Sequence, residues 1–227
     1  MRRKLGEIAE VVRRSAAARV GARPLTNREL VVSYLDGAAK SGAHFARLYA
    51  DEAGLQAADM FERRALRESL VASDAVRAVL LIDDFVGTGQ SAETGLRELN
   101  DAIGDIVRAR DIKVVFGAVV AFHAGWQRVQ AVAEELRMGL EVHSCELLEE
   151  GSRLFGPKSK AFPDPEQRAR ARDLAKTQGA LLEKNWPLGY ASLELGVVFE
   201  RGCPNNTVPI LWAESSNPKW MPLFKRA

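Results

Sequence analysis

The chain has 227 residues, 47% of them apolar, which is enough to bury one sizeable core, and we expect one compact domain with additions rather than two. Its 32 basic and 30 acidic residues leave a formal net charge of +2, which gives no global case for binding nucleic acid or a membrane surface. Cys145 and Cys203 are the only cysteines, too few for a disulfide framework or a zinc site, and we expect both to be ordinary buried thiols.

Apolar stretches in the sequence are too short for a membrane span. None reaches the roughly twenty residues that cross a bilayer, and the first residues have no continuous apolar core of a signal peptide. The sequence therefore predicts a cytoplasmic protein with no membrane partner. Residues 5–20 predict an amphipathic helix, in which Glu7 and Glu10 argue against an organelle transit peptide. Arginines dominate this segment and recur between Arg168 and Lys176, and we interpret them mainly as solvated helix faces.

The first predicted strand is followed by a candidate anion site. Leu30–Leu35 predicts a short strand, and a helix is predicted over Ala43–Ala53. The connecting loop, Asp36–Gly42, is rich in small residues and holds one lysine, so it can present a point charge and backbone N–H groups to an anion. An ordinary turn is the alternative. The candidate residues are Lys40, Ser41 and Gly42.

The most informative stretch follows a polar, helix-prone segment over residues 55–74. Val79–Ile82 is an apolar run typical of a strand buried on both faces, and it ends in the carboxylates of Asp83 and Asp84. A small-residue loop comes next. A helix is then predicted from Ser91, as its N-cap, to about Arg108.

The loop between the acidic pair and this helix suits a phosphate group. Backbone N–H groups from Thr88 to Ser91, two hydroxyls and the positive end of the helix dipole can all face one phosphate. Gly87 and Gly89 let the backbone approach it closely. Two adjacent carboxylates would repel a phosphate, but they suit ribose hydroxyls or a magnesium ion held between sugar and protein.

Two further strands complete the predicted sheet. Lys113–Phe122 predicts a central strand that breaks at His123–Trp126, before a helix ending at Gly139, and Leu140–Leu147 predicts the next strand. Strands that alternate with helices imply parallel pairing, with ligand sites at the carboxyl ends of the strands. His123 and Trp126 then fall on the base side of the ribose site, where imidazole or indole could contact a flat base. Packing is the alternative role for each.

The last third of the chain has a different character. Gly151–Pro165 predicts an excursion, and Asp164 with Pro165 starts a helix that runs to about Glu183. A strand is predicted over Leu193–Glu200, and Asn205-Asn206 suits a tight turn into a second strand ending at Trp212. We expect a single α/β domain, an open, mainly parallel sheet with helices on both faces and a C-terminal cap or hairpin. Its predicted parts are 1–28 (helical segment), 30–148 (core) and 149–227 (helix and cap).

The stretch from Val79 to Ser91 resembles the phosphoribosyl-pyrophosphate (PRPP) motif of type I phosphoribosyltransferases at all thirteen positions. That resemblance implies that Asp83 and Asp84 hold the ribose diol of PRPP, with Mg2+ bound indirectly. It also implies a pyrophosphate loop one strand-helix unit earlier, at Lys40, Ser41 and Gly42. The residues implied to hold the 5′-phosphate are Val86, Gly87, Thr88, Gly89, Gln90 and Ser91.

One position departs from part of that superfamily. In the branch that uses 6-oxopurines, the residue before Thr88 is an aspartate thought to act as a base, whereas here it is Gly87, which can transfer no proton.

Receiver domains and P-loop proteins also end strands in paired aspartates, but neither explains the loop that follows. A P-loop match at Gly151–Ser159 carries Pro157 where the lysine belongs, and we treat it as accidental.

The C-terminal residues carry a second resemblance. Gly189-Tyr190, the stretch Pro204–Trp212 and the closing Trp220–Phe224 resemble a phosphoribosyltransferase-like family of bacterial conflict systems, including retron-associated anti-phage modules. This resemblance implies a defence setting and protein partners in a defence complex. It does not imply which substrate is used.

These features together predict a phosphoribosyltransferase-like protein that binds PRPP or a related nucleotide with Mg2+. The expected reaction is transfer or hydrolysis at the ribose anomeric carbon. A non-catalytic nucleotide sensor or interaction module in a defence complex is the alternative. A nucleic-acid-associated protein using the Arg-rich helices is a weaker third hypothesis. The oligomeric state, a homo-oligomer included, does not follow from the sequence.

Overall fold

The computed structural model describes residues 2–17, 25–35, 41–55, 60–200, 202–215 and 220–224. The chain divides into two compact units, residues 1–147 and 148–227. The single domain expected from the sequence stays a prediction.

Strands and helices alternate through the first unit, and the second contains one long helix. The strands are β1 (Leu30–Tyr34), β2 (Met60–Glu62), β3 (Ala78–Val86), β4 (Lys113–Phe122), β5 (Leu140–Ser144) and β6 (Leu147–Leu148). The helices are α1 (Arg2–Ala17), α2 (Ser41–Ala53), α3 (Arg63–Ala72), α4 (Gln90–Ala109), α5 (His123–Glu135) and α6 (Pro165–Leu182). Within these described residues, no helix is both long and apolar enough to cross a bilayer.

The strands form the open parallel sheet that the sequence predicts. Their order is β2-β1-β3-β4-β5, each neighbouring pair is parallel, and the short β6 pairs with β4. The chain leaves β1 towards one edge of the sheet and leaves β3 towards the other. The direction of winding therefore reverses between β1 and β3, and in such sheets ligands bind beyond the carboxyl ends of the two strands at the reversal.

Helices cover both faces of this sheet, as predicted. On one face, α3, α4 and α5 pack on a core that includes Leu81 and Phe116, with Leu96 of α4 and Val129 of α5. The next residue along β4 is Gly117, which faces the other side because side chains alternate along a strand. A Cβ on Gly117 would lie 2.9 Å from Cγ2 of Ile8, so the missing side chain is what lets α1 lie directly on the sheet.

Several boundaries in this unit differ from those predicted. Residues 60–62 form the edge strand β2, which the sequence analysis assigned to a helix-prone segment, because three residues are too few to show a period. Helix α2 starts at Ser41 rather than Ala43, and α5 ends at Glu135 rather than Gly139. The predicted strand over 140–147 is interrupted after Ser144 and resumes as β6.

An arginine on each side of the α3–α4 contact fixes these two helices. Arg67 donates two hydrogen bonds of 2.9 Å to the carboxylate of Asp105 and one to the Ala102 carbonyl. The hydrogen bonds from Arg67, with a smaller contribution from the backbone N–H of Ile106, lower the pKa of Asp105 to about 2. Arg110 donates to the carbonyls of Leu70 and Ser73, which holds the end of α3.

We expect the Arg67–Asp105 pair to stabilise the fold above pH 4 and to lose that effect in acid. The carboxylate pKa is depressed from 3.8 in the folded state, so the stabilisation is present above the unfolded value and declines as pH falls towards 2. Denaturant unfolding of the parent and of Arg67→Met should differ more at about pH 6 than at about pH 2. Arg47→Met removes an exposed partner 4.0 Å from Asp51 and is the control that should show no such convergence. A difference for Arg67→Met that does not change with pH would contradict the expectation.

In the second unit, α6 begins as predicted and the predicted strands are absent. Asp164 caps α6 by accepting the Gln167 N–H at 2.7 Å, and Pro165 occupies the first turn. The strand predicted over 193–200 is wrong, as is the second strand predicted from the turn to Trp212, and so is the hairpin that the two would form. Among the described residues of this region, extended pairing is limited to isolated bridges, and 209–211 form a 3-10 turn.

Several residues in two of the stretches that carry the second resemblance, Gly189-Tyr190 and Pro204–Trp212, have packing roles. The turn predicted at Asn205-Asn206 is present, closed by the Thr207 N–H on the Pro204 carbonyl at 3.0 Å. Gly189 has a φ of +85° and a Cβ there would lie 2.3 Å from the Asn206 carbonyl oxygen, so only glycine fits. The buried Trp212 donates its indole N–H to the Thr207 carbonyl at 2.9 Å. Ala191, Ser192 and Glu194 have φ values of 54°, 50° and 55°.

Candidate functional site

The predicted acidic pair lies inside β3 rather than at its end. β3 continues to Val86, and its last residues pair with β4, Asp83 opposite Ala118 and Val86 opposite Ala121. Both carboxylates are half-buried. The Asp84 N–H donates to Oδ1 of Asp83 at 2.9 Å, which orients that carboxylate. The strand outlasts its apolar run because backbone groups, not side chains, make the ladder of hydrogen bonds.

The start of α2 lies against the acidic end of β3. A Cβ on Gly42 would lie 3.4 Å from the Tyr34 Cβ, 3.6 Å from the Ile82 carbonyl oxygen and 3.9 Å from Oδ1 of Asp83. The structure therefore brings Gly42 of the predicted pyrophosphate loop next to Asp83, at the point where the sheet reverses its winding. Ser41 and Gly42 belong to the first turn of α2 rather than to a loop, and Lys40 lies outside the described residues.

Tyr34 closes the same end of β1, and the sequence analysis did not select it. Burial raises the pKa of its phenol, and the charge and hydrogen bonding of Glu62 add to that effect. The phenol therefore stays protonated at neutral pH and acts as a hydrogen-bond donor. Tyr34 is the last residue of a buried strand, just before a loop. That position could have identified it from the sequence as a candidate site residue.

Gly89, not Ser91, is the N-cap of α4. Gly89 has a φ of +75°, which favours glycine, and Gln90 already has helical geometry, so the predicted N-cap at Ser91 is wrong by two residues. Thr88 Oγ1 accepts the Gln90 N–H at 3.4 Å. The first N–H of α4 that donates to a carbonyl of its own helix turn is that of Glu93, to Gly89 at 2.8 Å. The N–H groups of Ser91 and Ala92 therefore have no acceptor within the helix.

The loop after β3 touches the first turn of α5 backbone to backbone. A Cβ on Gly125 would lie 2.0 Å from the Gly87 carbonyl oxygen and 2.8 Å from the Gly89 nitrogen. A Cβ on Gly89 would lie 2.4 Å from the Gly125 carbonyl oxygen. From the sequence, Gly89 is predicted to allow close approach of a phosphate, whereas the position of its missing Cβ faces α5. Gly125 was not selected, because the contact joins residues far apart in sequence.

His123–Trp126 form the first turn of α5 rather than a break after β4. Phe122 is the N-cap, and His123 is half-buried at the first helical position. Trp126 is only 7% exposed and stacks on Phe116, with ring centroids 6.2 Å apart. Trp126 thus has the packing role that was its alternative, whereas His123 stays a base-side prediction.

Charged side chains tie α4 to α5 behind the loop. Arg97 donates two hydrogen bonds of 2.7 Å to Glu135 and also bonds Glu93 at 3.1 and 3.2 Å. Arg128 lies 3.6 Å from the same Glu93. The hydrogen bonds that Arg97 donates to Glu135, then those to Glu93, raise the pKa of Arg97 well above its ordinary value. The carboxylate of Glu93, the first acidic residue after Asp84, is therefore held by these two arginines.

We expect Gly125→Ala to destabilise the protein by about 3 kcal/mol, at the upper end of overpacking costs, because its methyl group would meet backbone that cannot rotate away. Chemical denaturation followed by circular dichroism measures the change. Gly6→Ala in α1 is the matched control: its Cβ would meet nothing within 4 Å, and we expect a gain of about 1 kcal/mol. Equal stability of Gly125→Ala and the parent would contradict the proposed contact.

The arrangement offers two complementary kinds of group at one edge of the sheet. Half-buried carboxylates at Asp83 and Asp84 suit hydroxyls or a hard cation such as Mg2+, since oxygen ligands are what that ion prefers. The first turn of α4 supplies N–H donors and the positive end of a 20-residue helix, which favour an anion. A ligand with a diol at one end and a phosphate at the other matches both.

Comparison with known proteins shows the family of this chain. No curated protein matches the chain. Among solved structures, one match is the AQ2163 protein from Aquifex aeolicus, with 15% identity, a TM-score of 0.38, and coverage of 65% of this chain and 75% of that one. A model of the PRTase-CE family matches residues 4–226. The chain therefore belongs to the PRTase-CE family, a phosphoribosyltransferase-like family.

Proposed function

We propose that this phosphoribosyltransferase-like protein binds PRPP or a related nucleotide with Mg2+ and transfers or hydrolyses at the ribose anomeric carbon. The observation that carries the proposal is that Gly42 of α2 lies against Asp83 of β3, while α4 starts just beyond the carboxyl end of the same strand, where the sheet reverses its winding. Ligands of open α/β sheets bind at that place.

Each part of such a ligand has a group suited to it. The ribose diol is assigned to Asp83 and Asp84, whose carboxylates accept hydroxyl hydrogens. The 5′-phosphate is assigned to the N–H groups of Ser91 and Ala92 and to the hydroxyls of Thr88 and Ser91. The pyrophosphate is assigned to the backbone at Ser41 and Gly42. These assignments follow the charge of each group: acceptors face the diol, and donors face the two anions.

The proposed reaction breaks the bond between C1′ and the pyrophosphate oxygen, whose electron pair leaves with the pyrophosphate. An acceptor nucleophile, or water, forms the new bond to C1′ and loses a proton. Mg2+ would neutralise charge on the leaving pyrophosphate. Asp83 and Asp84 orient the ribose through its hydroxyls, and the start of α4 fixes the 5′ end, so the anomeric carbon is held in position for attack.

PRPP should bind only when Mg2+ is present, because two carboxylates tolerate a polyanion poorly without a cation. Isothermal calorimetry with PRPP, with and without Mg2+, measures this. Replacing both carboxylates, Asp83→Asn with Asp84→Asn, should weaken binding at least about 100-fold, or roughly 2.7 kcal/mol. Asp101→Asn, on the exposed side of α4, is the matched control and should bind like the parent. Equal affinity without Mg2+, or unchanged affinity of the double variant, would exclude the proposed site.

Hypoxanthine and guanine should be poor acceptors. Gly87 supplies no base, and Glu93, the next acidic residue, is held by Arg97 and Arg128. General base catalysis contributes about 10²- to 10⁴-fold in rate, so its loss should leave these purines far below salvage rates. Chromatography of reactions with PRPP and each purine measures the products. Formation of inosine or guanosine monophosphate at about 1 to 10³ per second would contradict the inference from Gly87.

A non-catalytic nucleotide sensor is the second candidate, favoured by the same lack of a base in the loop. Turnover separates the two functions: an enzyme releases pyrophosphate, free base or ribose 5-phosphate, whereas a sensor returns its ligand intact. We also propose a bacterial defence setting with protein partners, which rests on the tail resemblance. Mass spectrometry of nucleotide pools in cells with and without the protein tests the enzyme against the sensor, since an enzyme depletes its substrate nucleotide and a sensor does not.

A further inference from the structure

A second group of chemistry-bearing side chains lies where α1 crosses β5. His143 belongs to β5, and Cys145 follows the strand, with its N–H still bonded to the Ala118 carbonyl at 3.0 Å. Two residues apart in extended backbone, their side chains lie on the same side of the sheet. Gly117 pairs with His143, and its missing side chain is what lets α1 approach. Glu7 of α1 is thereby brought to His143.

Three different ligand atoms meet there. Nε2 of His143 lies 3.2 Å from Oε1 of Glu7, and the Cys145 thiol donates to the Lys4 carbonyl at 3.3 Å. The carboxylate, imidazole and thiol ligand atoms all lie within 4.8 Å of one another. His143 and Cys145 are half-buried, whereas the side chain of Glu7 is 47% exposed, so the group is open to solvent on one side.

We propose that Glu7, His143 and Cys145 form a zinc-binding site that joins α1 to β5. Zinc bonds of about 2.0 to 2.3 Å in a tetrahedron place ligand atoms roughly 3.2 to 3.8 Å apart, which the His143–Glu7 pair already matches and Cys145 reaches by a small side-chain movement. A thiolate with an imidazole selects zinc or its substitute cobalt over magnesium and calcium, which prefer oxygen ligands. Three protein ligands leave a fourth position for water or an exogenous ligand.

The site is separate from the proposed nucleotide site in its chemistry and in its elements. The residues assigned to the nucleotide belong to α2, β3, α4 and the loop before α4, whereas this group belongs to α1, to β5 and to the residue that follows β5. From the sequence, two cysteines appeared as too few for a zinc site. A mixed site needs only one, and the two other ligands come from residues separated by more than 130 positions. Bound zinc would stabilise the contact of α1 with β5, an outer strand of the sheet.

Cobalt titration of the full chain, after removal of metals with a chelator, tests the proposal. We expect one equivalent of Co2+ to bind with a thiolate-to-cobalt charge-transfer band, and one equivalent of Zn2+ to displace it. Cys145→Ser should lose the band and bind at least about 100-fold more weakly, since loss of outer-shell partners alone costs about 10- to 100-fold. Cys203→Ser should keep both the band and the affinity.

Variants of α1 keep the test decisive if Cys145→Ser fails to fold. Glu7→Gln should also lose at least about 10-fold in affinity. Glu10→Gln, an exposed carboxylate one turn along the same helix, is the matched control and should bind like the parent. Zinc should raise the melting temperature of the parent and of Glu10→Gln but not that of Glu7→Gln. Cobalt binding without a thiolate band, no binding at all, or unchanged affinity of Glu7→Gln would overturn the proposal.

Discussion

The candidate site depends on one contact between two stretches of bare backbone. The loop after β3 and the first turn of α5 touch through Gly87, Gly89 and Gly125, so close that a single methyl group at Gly125 would lie 2.0 Å from a carbonyl oxygen. α5 is held in turn by Trp126 in the core and by the arginines that join it to α4. The donors at the start of α4 are therefore oriented before a ligand arrives, which lowers the entropy lost on binding.

The same contact explains which parts of the site the sequence could predict. The acidic pair and the phosphate loop are contiguous, so their order along the chain was enough. Gly125 belongs to another strand-helix unit, and only the parallel pairing of β3 with β4 brings it to the loop. The N-cap was misplaced for a related reason: Gly89 adopts a left-handed backbone that the contact with α5 requires, whereas Ser91 is the better N-cap by side-chain chemistry alone.

Prediction of the fold succeeded where one local signal was strong. β4 has the predicted bounds, Lys113–Phe122, because a long β-branched run buried on both faces has no competing interpretation. α6 starts where Asp164 and Pro165 place it. The two strands expected on either side of Asn205-Asn206 failed because several of their apolar residues fill two small clusters, one with Val208 and one with Trp212, instead of pairing as ladders. Strand propensity reports half-buried packing, which an irregular segment can satisfy as well.

The left-handed residues between Gly189 and Leu195 also affect the dynamics of the second unit. Ala191, Ser192 and Glu194 each hold a backbone conformation that costs a residue with a Cβ about 1–2 kcal/mol. That energy is released when the segment opens, so it offsets part of the free energy that opening requires. Amide hydrogens of this segment should therefore exchange with solvent earlier than those of α6, and a protease should cut there first. We therefore expect the second unit to begin to unfold at this short turn.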